Sequence, residues 1–431
     1  MRTARSIGLN GIGENIEATN AAASRQLTRA GTDKQPRRLL LTFLALCPFA
    51  FAFATYLAMS LGSARGDFFT FWLAGRMSWV NQNPYSAGQW VTAYGQYGET
   101  WVPNPVFLYP LPLAILLAPL GLIPLNQAYL VWTVISQTSV VLSLFLLLRS
   151  RPIAGSSALV FPLLIGAFLF RPFIVTLLNG QLGALLLLEL ALTAYLWERK
   201  RWVLGGAVLA LASLKPTLGL PVIGLSALWL FGSRRWSAIG SMATSALLIL
   251  SIGWIWDLSW ISEFLRSGGR KLAETLGYSP TIWGLSNTIC TDGRACLFGV
   301  GGFIGIVVVA GVAWVLFGKR PNLRPSLVLS IAVSAALLVT PYVWVYDQVL
   351  LLLPIAVVSI ELVERKCAYV VAASIMLLVD ILALLLLQVA TRVGADVWGG
   401  ALPGVVLCMV LILAFRTARD ERKGWFPASQ P

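Results

Sequence analysis

The stretch PLPLAILLAPLGLIP, residues 110–124, decides how this chain is threaded. It is apolar enough to be counted as a membrane span, yet shorter than the roughly 20 residues a bilayer core needs. Prolines at 110, 112, 119 and 124 also interrupt it, and proline inside a helix removes a hydrogen bond and kinks the backbone. Counted as a span, it puts Arg149 and Arg151 outside and inverts every later connection. Read as a short helix lying on or dipping into the outer face, it leaves the basic residues sorted, so this is the reading adopted.

The composition around it admits only a membrane protein. Of 431 residues, 58% are hydrophobic and 12% charged, and the mean hydropathy is +0.78. Soluble domains carry about a quarter charged residues. The chain reads as an all-α polytopic membrane protein of about twelve spans. They lie near 39–61, 127–148, 153–175, 181–197, 203–214, 217–231, 237–256, 297–317, 325–340, 343–362, 367–388 and 398–416. Residues 1–38 form a basic tail that reads as disordered, 39–416 the membrane domain, and 417–431 a short terminal tail. The first apolar run starts too late and ends without the small-residue site a cleaved signal peptide needs.

Most of the 32 lysines and arginines then fall on one side. They are the tail with Arg25, Arg29, Lys34, Arg37 and Arg38, and the connections holding Arg149/Arg151, Arg199–Arg201, Arg234/Arg235, Lys319/Arg320/Arg324 and Arg365/Lys366, with the end beyond Arg416. The positive-inside rule places both termini in the cytoplasm. The net charge of +14 is explained by that topology and by anionic inner-leaflet lipid, so no nucleic-acid partner is called for.

Two long outer loops remain, at about 62–126 and 257–296, and both are rich in aromatic residues. Anchoring in the interfacial belt accounts for most single aromatics. The first loop holds Asp67 in SARGDFFTFWLAGRMSW. Gly66-Asp67 looks like a helix start, so Asp67 reads either as an N-cap or as a catalytic carboxylate, and the two roles can coexist. Arg76 follows nine residues later, about half a turn out of phase, which makes it a poor direct partner.

The chain has no histidine, which excludes a Ser-His-Asp triad, a histidine base and most zinc sites. Base chemistry must fall on a carboxylate. Of the outer acids, Asp67 sits in the densest aromatic and glycine setting, and a carboxylate near a low-dielectric surface is the better base for a hydroxyl. No P-loop or dinucleotide glycine pattern occurs. No acidic cluster calls for a metal, so no cofactor is expected, though one loop acid and a phosphate could recruit a divalent ion.

Lys215 interrupts the apolar stretch 202–232, in LASLKPTLGLP. A hairpin of two short limbs keeps the charge pattern and puts Lys215 near the turn, in a depression of the outer face. Pro216 suits the first turn of the second limb, whose N-terminal N–H groups would reinforce an anion site. Phosphate at headgroup level is the natural guest; a lysine snorkelling to the surface is the plain alternative. FRPFIVTLLNGQLG places Arg171, Asn179 and Gln181 at the same outer ends, and VTPYVWVYDQVLLLLP places Tyr346 and Asp347 there. Glu189 and Asp380 fall inside predicted spans, where an ionisable group should face protein or water. Cys290 and Cys296 flank TDGRA in the second outer loop, where an oxidising exterior would allow a disulfide.

The order of GDFFTFWLAGR, NPYS, FLYPLPLAILLAPLGLIPLNQAYLVW, NGQLGALLLLELAL, LASLKPTLGLPVI and TPYVWVYDQVLLLLP resembles glycosyltransferase family 87, bacterial enzymes of the GT-C superfamily, over about residues 55–360. The resemblance implies transfer of a hexose, usually mannose, from a polyprenyl-phosphate carrier to a glycan or glycolipid hydroxyl outside the cytoplasmic membrane. It implies Asp67 as general base and the proline-rich helix as a surface helix. Lys215, with Arg171 or Arg76, would hold the carrier phosphate, and Asn179, Gln181, Tyr346 and Asp347 would meet substrate. Many relatives carry histidines where Tyr346-Asp347 stands here. The rival readings are a twelve-span secondary transporter, which Glu189 and Asp380 would suit, and a lipid-linked saccharide flippase or ligase. Against the transporter, the halves show no convincing repeat.

Overall fold

The computed structural model describes residues 64–97, 102, 104, 106–151, 157–290, 293–318, 323–365 and 369–422, with isolated positions between 41 and 61. The tail at 1–38, most of the first predicted span and residues 423–431 lie outside them, as do Lys319, Arg320 and Lys366. The described residues are helical, with no strand among them.

The first loop opens with α1 (Asp67–Trp79) and α2 (Ala87–Gln96), followed by α3 (Leu111–Gly121). At 11 residues, α3 spans only about 16 Å, half of what a bilayer core demands. Instead it lies against α1 with backbone touching backbone. A methyl added at Gly75 would stand 2.5 Å from the Leu117 carbonyl oxygen, and one at Gly121 would stand 2.4 Å from the Arg76 nitrogen. Arg76 donates to the Gly121 carbonyl at 2.9 Å and lies over Trp72 and Tyr97. Beneath this crossing Phe68, Phe69, Phe71, Trp72, Trp90, Tyr94, Phe107, Trp132 and Trp260 form a buried aromatic core. Each such ring buries 150–250 Å², which explains why a loop of this length is a packed layer and not a tether.

The main bundle follows: α4 (Leu125–Ser150), α5 (Ser157–Leu169), α6 (Arg171–Asn179), α7 (Gly183–Glu198), α8 (Trp202–Leu209) with a 3-10 turn at Ala210–Leu214, α9 (Pro216–Gly232) and α10 (Trp236–Trp256). The second long connection supplies α11 (Trp260–Thr275) and α12 (Ile282–Ile289). Then come α13 (Arg294–Ala313), α14 (Pro325–Val339), a 3-10 helix at Val345–Leu351 running into α15 (Leu352–Glu364), α16 (Tyr369–Val393) and α17 (Ala401–Arg422). Helix α14 and the 345–364 segment are the most deeply buried and form the centre of the apolar core.

Six of these helical stretches are long and apolar enough to cross a membrane: Leu125–Ser150, Trp236–Trp256, Arg294–Phe317, Val345–Glu364, Val370–Val393 and Asp396–Thr417. A seventh is the pair Leu159–Leu169 and Arg171–Asn179, bent by 54°. The chain is therefore a multi-pass helical membrane protein, but not every expected span is a full one. Helix α7 has 16 residues, α9 has 17 and α14 has 15, or about 22–26 Å each. Proline and glycine breaks at Pro216, Gly180 and Pro325 shorten them, and each break leaves helix ends that must be satisfied inside the protein. The ends at Gly180 and Pro216 build the site.

Candidate active site

Asp67 is the first residue of α1, with Gly66 at the cap position and no side-chain cap bond. The N-cap reading of its carboxylate is thus corrected, because the side chain turns away from its own helix. Its Oδ2 accepts from Gln181 Nε2 at 2.7 Å, and no hydrogen bond among the described residues reaches Oδ1. The side chain is half-buried.

Gln181 reaches Asp67 through a glycine. Helix α6 stops at Asn179 because Gly180 adopts the left-handed conformation, φ 63°, which costs glycine nothing. A Cβ there would stand 2.5 Å from Phe68 Cβ, so the bare backbone also lets α1 come close. Gln181, only 2% exposed, is then fixed between two helices. Tyr109 Oη donates weakly to its Oε1, at 3.4 Å, which orients the amide with its N–H toward Asp67.

Lys215 sits at the predicted break. Pro216 opens α9 at its first position, where the missing N–H is not needed. The ammonium pairs with Asp347 Oδ1, and both side chains are almost fully buried. It also lies 5.4 Å from the centre of the Tyr346 ring. Asp347 Oδ2 accepts the Trp344 N–H at 2.9 Å, capping the 3-10 helix. Both oxygens of Asp347 are therefore engaged, and it is the counter-ion of Lys215 where a substrate contact was expected. Thr176 anchors this turn by donating to the Tyr346 carbonyl at 2.8 Å.

The two halves form one electrostatic unit. Burial lifts the Asp67 carboxyl above its ordinary value of 3.8; the Gln181 N–H and the Lys215 charge pull it down, and the Asp347 charge pushes it up. Desolvation likewise raises Tyr109 and Tyr342 above the ordinary phenol range, with the charges of Asp347 and Asp67 adding to the rise. Both hydroxyls stay neutral at physiological pH. The assembly is a carboxylate with one oxygen available, an ammonium at a helix N-terminus whose charge it feels, and neutral phenols around them. Such a set can take a proton from a hydroxyl and stabilise an anion.

Three expected residues are elsewhere. Arg171 pairs with Asp396 at 3.2 Å and ties α6 to the turn at Asp396–Gly400. Arg76 serves the α1–α3 crossing, about 13 Å along the helix from Asp67. Asn179 has no hydrogen bond to the cluster among the described residues. Tyr109 and Tyr342 were not foreseen. Each adjoins a proline, in Tyr109-Pro110 and Pro341-Tyr342, at the mouth of a helix, and this was the signal available in the sequence. Among the described residues no group of three or more Asp, Glu, Cys or His could hold a metal ion. Cys290 and Cys296 are joined in a disulfide that ties the end of α12 to the first turn of α13.

No curated protein matches the chain. A family model described as glycosyltransferase family 87 matches residues 107–341, from the turn before Tyr109 to the proline before Tyr342, with Gln181 and Lys215 inside it and Asp67 and Asp347 outside. That match takes in more than half of the sequence, and the chain belongs to glycosyltransferase family 87.

Proposed function

We propose that this glycosyltransferase moves a hexose, mannose being favoured, from a polyprenyl-phosphate carrier to a glycan or glycolipid hydroxyl on the extracytoplasmic face of a bacterial cytoplasmic membrane. The observation that carries the reading is that a half-buried Asp67, one oxygen of which no described hydrogen bond reaches, feels the charge of a buried Lys215 that is itself paired with Asp347. The acceptor oxygen attacks the anomeric carbon and its proton passes to Asp67 Oδ1. The bond from that carbon to the carrier oxygen breaks, and the electron pair leaves on the phosphate, where Lys215 and the N-terminal N–H groups of α9 meet it.

In this reading both termini are cytoplasmic, the first predicted span at 39–61 completes a scaffold of about twelve, and α1 to α3 rest on the outer surface. The Cys290–Cys296 disulfide supports an oxidising outer compartment for the second loop. Lys215 takes the phosphate without Arg171 or Arg76, both of which have structural partners.

The test is transfer from a panel of radiolabelled polyprenyl-phosphate sugars by protein in nanodiscs with membrane extract, comparing wild type with Asp67→Asn. A fall of at least about a hundredfold is expected for loss of a general base. Equal transfer by both would remove Asp67 from the chemistry. Transfer from none of the panel by folded wild type would overturn the donor class.

A further inference from the structure

One part of the first loop has no share in the reaction. Between Arg76 and Glu99 the chain carries no charged residue, although protein surfaces are ordinarily about a quarter to a third charged. The polar side chains of this stretch are amides and hydroxyls.

The fold gathers several of them around one cavity. Helix α1 ends at Trp79, and Asn81, φ 57°, turns the chain so that the Gln82 N–H returns to the Met77 carbonyl at 2.9 Å. Asparagine accepts this left-handed conformation more readily than most residues. Gln82 and α2 then enclose a cavity of about 370 Å³ lined by Gln82, Ser86, Gly88, Gln89, Thr92 and Gln96. The buried Ala93 completes its wall. Small-molecule sites occupy roughly 300–1,000 Å³.

The walls are held from both sides. Gln89 Oε1 accepts the Asn83 N–H at 2.8 Å, and the Asn83 amide donates to Asp257 at 3.3 Å and to Glu263 at 3.1 Å. Tyr94 of α2 meets Phe69 edge-on, with ring centres 4.9 Å apart, two residues after Asp67. The cavity thus lies one helix away from the carboxylate, on the opposite side of α2 from Phe69.

Its chemistry suits one class of guest. A glutamine amide both donates and accepts, as does a serine or threonine hydroxyl. Adjacent sugar hydroxyls present the same alternation and carry no charge that would call for a cation or a carboxylate. Among the described residues the side chains of Gln82, Thr92 and Gln96 have no hydrogen-bond partner, and Ser86 makes no capping bond. Gly88 agrees with this: a Cβ there would have no described atom within 4 Å, so packing does not call for glycine, a poor helix former. Bare backbone at that point serves a molecule approaching from outside.

We infer that this cavity is a saccharide subsite, which holds a neutral sugar residue of the acceptor chain remote from the hydroxyl that reacts at Asp67. The inference rests on the reading of the acceptor as a glycan or glycolipid.

The experiment measures equilibrium binding of two neutral probes, mannohexaose and maltohexaose, to the full chain in nanodiscs. Wild type should bind at least one of them. Gly88→Leu, which fills the cavity, should weaken that binding at least about tenfold, and Gln82→Ala or Gln96→Ala about two- to tenfold, the scale of one lost neutral hydrogen bond. Gly240→Leu, at a glycine of α10 with equally open surroundings, should bind like wild type and controls for the added bulk. Asp67→Asn should also bind like wild type, because the carboxylate is not part of the cavity.

No binding of either probe by folded wild type, unchanged binding by Gly88→Leu, or a loss in Gly240→Leu or Asp67→Asn as large as in Gly88→Leu overturns the inference. Should Gly88→Leu not fold, the alanine variants decide, and undiminished binding by both has the same force. A wild type that binds through the cavity but transfers no hexose from the donor panel keeps the subsite and sinks the proposed function. One that transfers while Gly88→Leu binds normally does the reverse.

Discussion

The two ends of α7 hold two charge clusters of opposite character. Its far end, at Glu198, enters a saturated knot. Arg151, at the end of α4, binds Glu361, Glu364 at 2.8 Å and Ser326 at 3.0 Å. Arg324 binds Glu364 at 2.6 Å and Glu361 at 3.2 Å, and Glu198 accepts the Ser326 hydroxyl at 2.7 Å. Four spans are tied there, and Arg151, Glu361 and Ser326 are buried. At the near end, by contrast, Asp67 keeps an oxygen that nothing in the described structure occupies, and the Lys215 ammonium pairs with Asp347 alone among the described residues. Saturation fixes helices, whereas incompleteness leaves a group able to react. The knot is built from long, forked guanidinium contacts that satisfy several acceptors at once, which suits Arg and not Lys.

The largest blow to this contrast should come from Arg151→Met. Removing one partner of a buried ionic group leaves charges uncompensated, at about 3–5 kcal/mol. Thermal unfolding in nanodiscs should show that loss, while the turnover of the molecules that remain folded stays near wild type. A loss of turnover without loss of stability would make the knot part of the reaction.

Next in size, Gln181→Leu should slow transfer about tenfold at neutral pH. Gln181 lowers the pKa of a carboxyl that burial raises, and only the ionised carboxylate is a base. The rate should therefore climb with pH through that raised pKa, and the acidic limb should move to higher pH in the variant. An unmoved limb would separate Asp67 from the profile.

A smaller effect is expected from Asp67→Asn on stability. Because folding raises this pKa, the protonated form is favoured in the folded state. Asp67 thus costs the fold something at neutral pH that disappears as pH falls below its unfolded value. The variant should melt slightly higher at pH 7, and the gap should close in acid; a variant less stable at pH 7 would mean the carboxylate is structural. Smallest of all, Arg76→Gln and Arg171→Gln should leave donor KM within about threefold, since neither cation reaches the cluster and partly exposed pairs contribute little.

The local features of the site were open to reading. Prolines marked α3 as too short and broken to cross, and Pro216 marked the turn at Lys215, because proline acts on the backbone at its own position. Family membership was legible from the order of short motifs. What could not be read was partnership. Gln181 lies 114 residues from Asp67 and Asp347 lies 132 from Lys215, and no periodicity encodes which side chains meet after folding. The same blindness gave Arg171 to the phosphate when Asp396, 225 residues on, already held it. Helix lengths were overestimated for a related reason: an apolar run records what is shielded from water, not whether lipid or protein shields it.

The crossing of α1 and α3 carries a consequence for evolvability. At Gly75 and Gly121 each backbone occupies the space where the other's side chain would begin, so neither position has a tolerated neighbour in sequence space. A drift at one cannot be rescued by a change at the other, since glycine has nothing smaller to yield. The helix that begins with Asp67 is consequently locked in place for any descendant that keeps the fold. New acceptor preferences would have to arise around a stationary Asp67, in the side chains that face it, and a directed-evolution library aimed at specificity is best spent there.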